Sequence, residues 1–170
     1  GAEDFIWTIN CSDFQGDPAR FGAEARAFLA SARERPKNPP ALRLGLMGVP
    51  PICTDLFGCL AERGADVVFS EVPRQFAMPD PGPTLVEQYA RYTYPYDVFG
   101  RLDDVARECE RRRVHGLIHY LQSFCFRQVQ DRLVRERLGL PVLTLECDRP
   151  GPLDAASRTR LEAFLEMLRG

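Results

Sequence analysis

The sequence predicts an α/β fold, a three-layer sandwich in which helices cover both faces of a mainly parallel, four-stranded sheet. Three observations carry that expectation. From Leu42 onward, apolar runs of strand length alternate with amphipathic stretches of helical period. Gly64 and Gly139 stand where helices should end, since glycine accepts the left-handed conformation of a helix C-terminal cap. The chain of 170 residues fits one domain that buries roughly two-thirds of its unfolded surface without staples.

The elements follow in order. Phe5-Ile6-Trp7-Thr8-Ile9 reads as an opening strand. Asp17-Pro18 starts a helix whose apolar stripe, Phe21, Ala25, Phe28 and Leu29, runs to about Arg35, and Pro36 to Pro40 breaks it. The repeating pattern then begins with strand Leu42 to Met47, helix Asp55 to Arg63, strand Ala65 to Ser70 and a helix near Leu85 to Tyr92. Helix Asp97 to Arg113, strand Gly116 to Leu121, helix Phe124 to Leu138, strand Pro141 to Glu146 and helix Ala155 to Leu168 complete it. Strands alternating with helices make a parallel sheet built from right-handed crossovers, hence a Rossmann-like or flavodoxin-like architecture. The expected division is residues 1–41 as a lead-in strand and helix from a preceding domain and 42–170 as the Rossmann-like domain. Gly1-Ala2, with no initiator Met, reads as the start of a segment of a longer polypeptide. The stretch Pro73 to Pro83 is too long for an ordinary connection, and loops of that length are often functional.

A net charge of −2 argues against a nucleic-acid-binding domain, which carries a basic face. The run Arg107 to Arg113 contains two glutamates and reads as a solvated helix face. Nothing resembles a membrane span or a signal peptide, so a soluble, cytoplasmic protein is expected. The six cysteines match neither a disulfide scaffold nor a zinc module by spacing.

In open parallel sheets, ligands bind beyond the carboxyl ends of the strands. Cys53, Cys125 and Cys147 fall on loops there, whereas Cys59 and Cys109 fall on helices as filler. Cys125 is the most informative of them. Ser123 is a plausible N-cap, and Cys125 would then sit in the first helical turn, where unpaired N–H groups and the helix dipole favour a thiolate. That position suits a metal ligand or a nucleophile; the bland alternative is a small residue that merely packs. Thiolates are the preferred ligands of iron–sulfur clusters and of zinc, although no CxxC supports a shared site. His115 and His119 would lie roughly 13 Å apart on a strand and cannot share one metal, which leaves His119 as a core residue or a support for ligands. Arg158 and Arg160, in the first turns of the last helix, oppose its dipole and call for a phosphate or a carboxylate such as Glu146 or Asp148, a local salt bridge being the plainer choice. No GxGxxG, GxxxxGK[ST] or GxSxG motif is present.

The chain resembles the 2-hydroxyacyl-CoA dehydratase and benzoyl-CoA reductase family, specifically the carboxyl-terminal part of its iron–sulfur subunits. The resemblance is carried by Ile118-His119-Tyr120-Leu121-Gln122-Ser123-Phe124-Cys125-Phe126-Arg127-Gln128, by Leu145-Glu146-Cys147-Asp148-Arg149-Pro150-Gly151 and by Thr159 to Leu168. Glu71 to Phe76 and Arg91 to Tyr96 are similar to the branch of dehydratase-like and double-cubane-cluster proteins. The resemblance implies that Cys125 is this region's ligand to a 4Fe-4S cluster, the other ligands lying in a preceding domain. Cys53 and Cys147 are weaker metal candidates. Arg74, Gln75, His119, Gln122, Ser123, Glu146 and Arg160 are expected to line the pocket or support it. It further implies a lyase or oxidoreductase in which the cluster passes single electrons to an acyl-CoA or other small substrate, producing a ketyl-like radical. The partners would be a second dehydratase-type subunit, or a second copy, and an ATP-dependent iron–sulfur activator. The segment alone would be inactive. Two other readings stay open: a subunit-interaction module using the segment from Phe76 to Phe99 with Tyr89, Tyr92, Tyr94 and Tyr96, and a small-ligand binder holding phosphate at Ser123.

Overall fold

The computed structural model describes residues 1–36, 39–92 and 97–170. Four parallel strands form one sheet, β1 (Leu42–Gly48), β2 (Ala65–Ser70), β3 (Gly116–Leu121) and β4 (Val142–Glu146), in the order β2-β1-β3-β4. The helices among the described residues are α1 (Ala2–Ile9), α2 (Pro18–Glu34), α3 (Leu56–Ala61), α4 (Glu71–Phe76), α5 (Leu85–Ala90), α6 (Val98–Arg112), α7 (Asp131–Arg137) and α8 (Ala155–Met167). The predicted three-layer sandwich is present.

Strand alternation distributes the core between the two faces. On one face, Leu42, Leu44, Leu46, Ile118, Tyr120, Leu143 and Leu145 meet α3 and α8 through Leu56, Leu60, Leu161 and Leu165. On the other, Met47, Leu117 and Phe69 meet α6 and α7 through Leu102, Val105, Cys109 and Val134. Phe69 reaches this second face because the β1–β2 register slips by one residue, Leu44 pairing with Val67 and Gly45 with Phe69. Cys59 and Cys109 are buried in the two cores as expected. Gly64 and Gly139 take positive φ at the helix ends.

Three sequence expectations are corrected. The opening segment is a helix rather than a strand: Glu3 and Asp4 lie in its first turn, and Phe5 and Trp7 find ring partners in Phe57 at 5.5 Å and Phe28 at 5.0 Å. Tertiary contacts of this kind override β propensity. The long loop begins only after Phe76, because β2 runs directly into α4, with Pro73 within the first turn where its missing N–H costs nothing. The helix expected from Phe124 is divided into a 3₁₀ turn, Phe126–Gln130, and α7.

Since β1 and β3 are adjacent while the chain crosses to opposite sides of them, the switch point of the sheet lies at their carboxyl ends. Gly48 closes β1 there. Its φ is +104°, and a Cβ would stand 2.0 Å from the Tyr120 carbonyl oxygen, so any side chain would force β1 from β3.

Candidate functional site

The loop that leaves β3 at the switch point is a tight turn carrying Cys125. The Cys125 N–H donates to the Gln122 carbonyl at 3.0 Å, and Phe124 takes φ +65°, a strained conformation for an aromatic residue. Cys125 has an extended backbone at the N-cap of the 3₁₀ turn instead of lying inside an α-helix, and Ser123 caps nothing. Phe124 is fully exposed, Phe126 is 68% exposed and Val129 is 85% exposed, so Cys125 stands half-buried in an apolar patch open to solvent.

Both sides of this turn are anchored. On the β4 side, Ser123 donates its N–H to Asp148 at 2.6 Å and its hydroxyl to Asp148 at 2.5 Å and Glu146 at 3.1 Å, while the Gln128 amide donates to Glu146 at 3.1 Å. The two bonds from Ser123 hold the Asp148 carboxyl below its usual pKa. They also commit Ser123, leaving its N–H and hydroxyl no capacity for a phosphate.

On the inner side, Arg127 is 7% exposed and reaches Glu71 at 3.5 Å. Glu71, 1% exposed, also accepts two hydrogen bonds from Arg101, the one from Nη2 at 2.8 Å, and one from the Gly48 N–H at 3.1 Å. Burial alone would raise the Glu71 pKa; the bonds and charge of Arg101, the charge of Arg127 and the Gly48 amide outweigh it and leave it lowered. Gln130 accepts from Arg101 at 2.6 Å, which ties the 3₁₀ turn to the same network. The network thus joins the ends of β1, β2 and the segment after Cys125.

His119 is fully buried on β3, its Nδ1 2.7 Å from Asp131 on α7. Burial lowers its pKa more than the Asp131 hydrogen bond raises it, so the ring is neutral near pH 7, its Nδ1–H donating to the Asp131 carboxylate. Asp131 is held ionised: burial would raise its pKa, but bonds from His119, Arg135 and Thr144 outweigh that. His119 Nε2 and Gln75 Oε1 are buried without a hydrogen-bond partner among the described residues.

The remaining predicted residues are placed otherwise. Arg74 is held by Asp104 at 2.6 Å, with Glu108 at 3.6 Å and Asp80 at 3.7 Å. Arg160 is exposed and donates to the Thr144 carbonyl at 2.7 Å, and Arg158 pairs with Asp55 at 2.6 Å rather than with Glu146 or Asp148. Cys53 is buried and Cys147 half-buried at the neighbouring edge. Tyr94 and Tyr96 lie outside the described residues. The structure therefore brings Ser123, Gln122 and Glu146 to the Cys125 turn and Gln75 to the network beneath it, but sets Arg74 and Arg160 in local pairs. Sequence reasoning missed Glu71, Arg101 and Arg127; the signal available was a charged residue, Glu71, at the carboxyl end of an apolar strand.

The sequence matches the model of the family described as 2-hydroxyglutaryl-CoA dehydratase, D-component, over residues 1–168. The chain belongs to that dehydratase family. No curated protein matches it. In this dehydratase-type subunit, no group of three or more His, Cys, Asp or Glu among the described residues is arranged to hold a metal ion. The donor set fits the family's expected cluster as one ligand, a thiol at the switch point, and does not fit it as a self-contained site. No helix among the described residues is long and apolar enough to cross a membrane.

Proposed function

We propose that this chain is the part of a 2-hydroxyacyl-CoA dehydratase or benzoyl-CoA reductase-like iron–sulfur subunit that presents Cys125 as one thiolate ligand to a 4Fe-4S cluster completed by residues outside it. The observation that carries the reading is the Cys125 turn itself. A thiol is held at the switch point on a strained turn, and its flanking aromatic side chains are exposed rather than packed. A lone structural cysteine needs neither. An apolar collar of Phe124, Phe126 and Val129 is suited to close against the region that supplies the other ligands, so that water is excluded around the thiolate.

The bound cluster would supply single electrons to the carbonyl of a thioester or a similar small substrate. This chain's own residues would do the positioning. Ser123, Asp148, Glu146 and Gln128 fix the outer side of the turn, and Arg127 and Gln130, through Glu71 and Arg101, fix its inner side. Division of the polypeptide into residues 1–41, leading in from a preceding domain, and 42–170 as the cluster-facing domain belongs to the same proposal. So do a second dehydratase-type subunit or second copy, an ATP-dependent iron–sulfur activator and a cytoplasmic setting.

The test is iron and acid-labile sulfide on the full-length subunit, purified without oxygen, beside Cys125→Ser. Cluster in the parent with loss or spectral change in the variant supports the reading. Iron-free protein in both cases overturns it.

A second reading rests on α5, whose Leu85, Val86 and Tyr89 are 70%, 79% and 58% exposed, a surface suited to subunit pairing without any cluster. Scattering at several concentrations separates the two: association that persists in Cys125→Ser iron-free protein and is lost in Val86→Glu supports pairing through α5.

A further inference from the structure

The loops that leave β1 and β4 meet above the strand that separates them, and each brings a thiol. Cys53 forms an isolated bridge with Gly151, the Thr54 N–H donates to the Gly151 carbonyl at 2.8 Å, and the Leu153 N–H donates to Asp55 at 2.8 Å. The two loops are thereby laced side by side. Tyr120, fully buried on the intervening β3, aims its hydroxyl into the junction, where it accepts from the N–H of Ile52 at 3.1 Å and of Cys53 at 3.3 Å. The side chains of Cys53 and Cys147 both press on this hydroxyl electrostatically, and the Cys147 thiol donates to the Arg149 carbonyl at 3.4 Å. Both side chains belong to one apolar cluster.

The two thiols differ in access. Cys53 is 7% exposed, whereas Cys147 is half-buried in the wall of an open cavity of about 440 Å³ that also includes Glu146, Asp148, Arg149 and Ser157. Burial pushes the Cys53 thiol up, with Cys147 and Asp55 adding to it against the Tyr120 hydrogen bond, so Cys53 rests protonated. An accessible thiol beside a buried one suits thiol–disulfide exchange, the first meeting the reactant and the second resolving the mixed disulfide.

We propose that Cys147 and Cys53 form such an exchange pair, with a low-molecular-weight disulfide as reactant. The Cys147 thiolate attacks one sulfur of the small disulfide; the Cys147–S bond forms, the small disulfide bond breaks, and one small thiol leaves with the Cys147 proton. The Cys53 thiolate then attacks Cys147 Sγ, expelling the second small thiol, which takes the Cys53 proton. Two protein thiols are oxidised by two electrons and the small disulfide is reduced to two thiols. The bridge would staple the β1 loop to the β4 loop one residue before Asp148, the residue that holds Ser123 of the Cys125 turn.

The experiment incubates the full-length, fully reduced protein with oxidised glutathione and maps its peptides by mass spectrometry without reduction. The parent is expected to lose the Cys53 and Cys147 thiols together and yield a Cys53–Cys147 linked peptide. Cys53→Ser is expected to stop at a glutathione adduct on Cys147, and Cys147→Ser to leave Cys53 unmodified. A parent that stops at the Cys147 adduct, a bridge from Cys147 to any other cysteine, or modification of Cys53 in Cys147→Ser overturns the proposal. None of these readouts depends on iron, so the pair stands or falls separately from the Cys125 reading.

Discussion

Replacing Glu71 with glutamine tests whether the network beneath the Cys125 turn is held by charge. The carboxylate receives Arg101 through two nitrogens, Arg127 at 3.5 Å and the Gly48 amide at 3.1 Å, and all three side chains are nearly inaccessible, at 1%, 4% and 7% exposure. Glutamine keeps the shape and removes the negative charge that faces Arg101 and Arg127 in these contacts. Removing one partner of a buried pair costs about 3–5 kcal/mol, a large share of the roughly 5–15 kcal/mol that stabilises a domain. Urea denaturation at pH 7 reads the loss as a lower midpoint at unchanged slope. Hydrogen exchange should show the loss first in Phe126–Gln130, since Arg127 and Gln130 tie that segment to the network. A Glu71→Gln/Arg101→Gln double variant should recover part of the loss, because one uncompensated charge is gone. A loss below about 1 kcal/mol in the single variant would refute the reasoning, since it would mean that water or rearrangement satisfies both guanidinium groups.

Acid should expose a second charged cluster. Glu108 is 5% exposed; burial would raise its pKa, but hydrogen bonds from Arg111 and Arg112 and the charge of Arg74 bring it to about 2. A folded-state pKa below the unfolded value contributes stability that is complete above the usual value of 4.5 and is lost as pH falls toward 2; thermal melts of Glu108→Gln should flatten in that window relative to the parent. Phe124 is fully exposed at φ +65°, so Phe124→Gly should stabilise the iron-free protein by about 1 kcal/mol by relieving the left-handed strain, read by the same urea titration. Pulsed alkylation of native protein should label Cys11, Cys125 and Cys147 before Cys53, Cys59 and Cys109, the last being 3% exposed with its thiol pushed up to about 12 by burial and by Glu108.

The sheet was legible because each strand is a short apolar run set between amphipathic helices, and burial on both faces demands that pattern. All four strands appear within a residue or two of where the periodicity puts them. The opening segment reads as a strand because Phe5, Ile6 and Trp7 favour strands locally, whereas the contacts that hold it as a helix, Phe5 with Phe57 and Trp7 with Phe28 of α2, are tertiary. The position of Cys125 at a strand end was legible; its turn was not, because a positive φ at Phe124 and the hold of Asp148 on Ser123 leave no periodic signal. The Arg107 to Arg113 run looked fully solvated, yet Glu108 within it is buried under Arg111 and Arg112. Charge pairing of that sort hides a buried carboxylate inside a polar stretch.

The two anchors of the Cys125 turn differ in kind, and the difference bears on how the site would work. The inner anchor is buried and contains one more cation than anion among Glu71, Arg101 and Arg127. Breaking such a buried group costs about 3–5 kcal/mol, so it fixes the depth at which the turn sits. The outer anchor, Ser123 with Asp148 and Glu146, consists of exposed carboxylates beside Cys147. It is screened by solvent and belongs to the loop that the Cys53–Cys147 bridge would constrain. A change at the β4 edge can therefore reach the Cys125 turn through Ser123 while Glu71 holds the core beneath it unchanged. The readout is chemical: in oxidised protein carrying the bridge, the alkylation rate of Cys125 should change, and in an Asp148→Asn variant that dependence on the bridge should shrink. An equal change with and without Asp148 would place the coupling elsewhere in the loop.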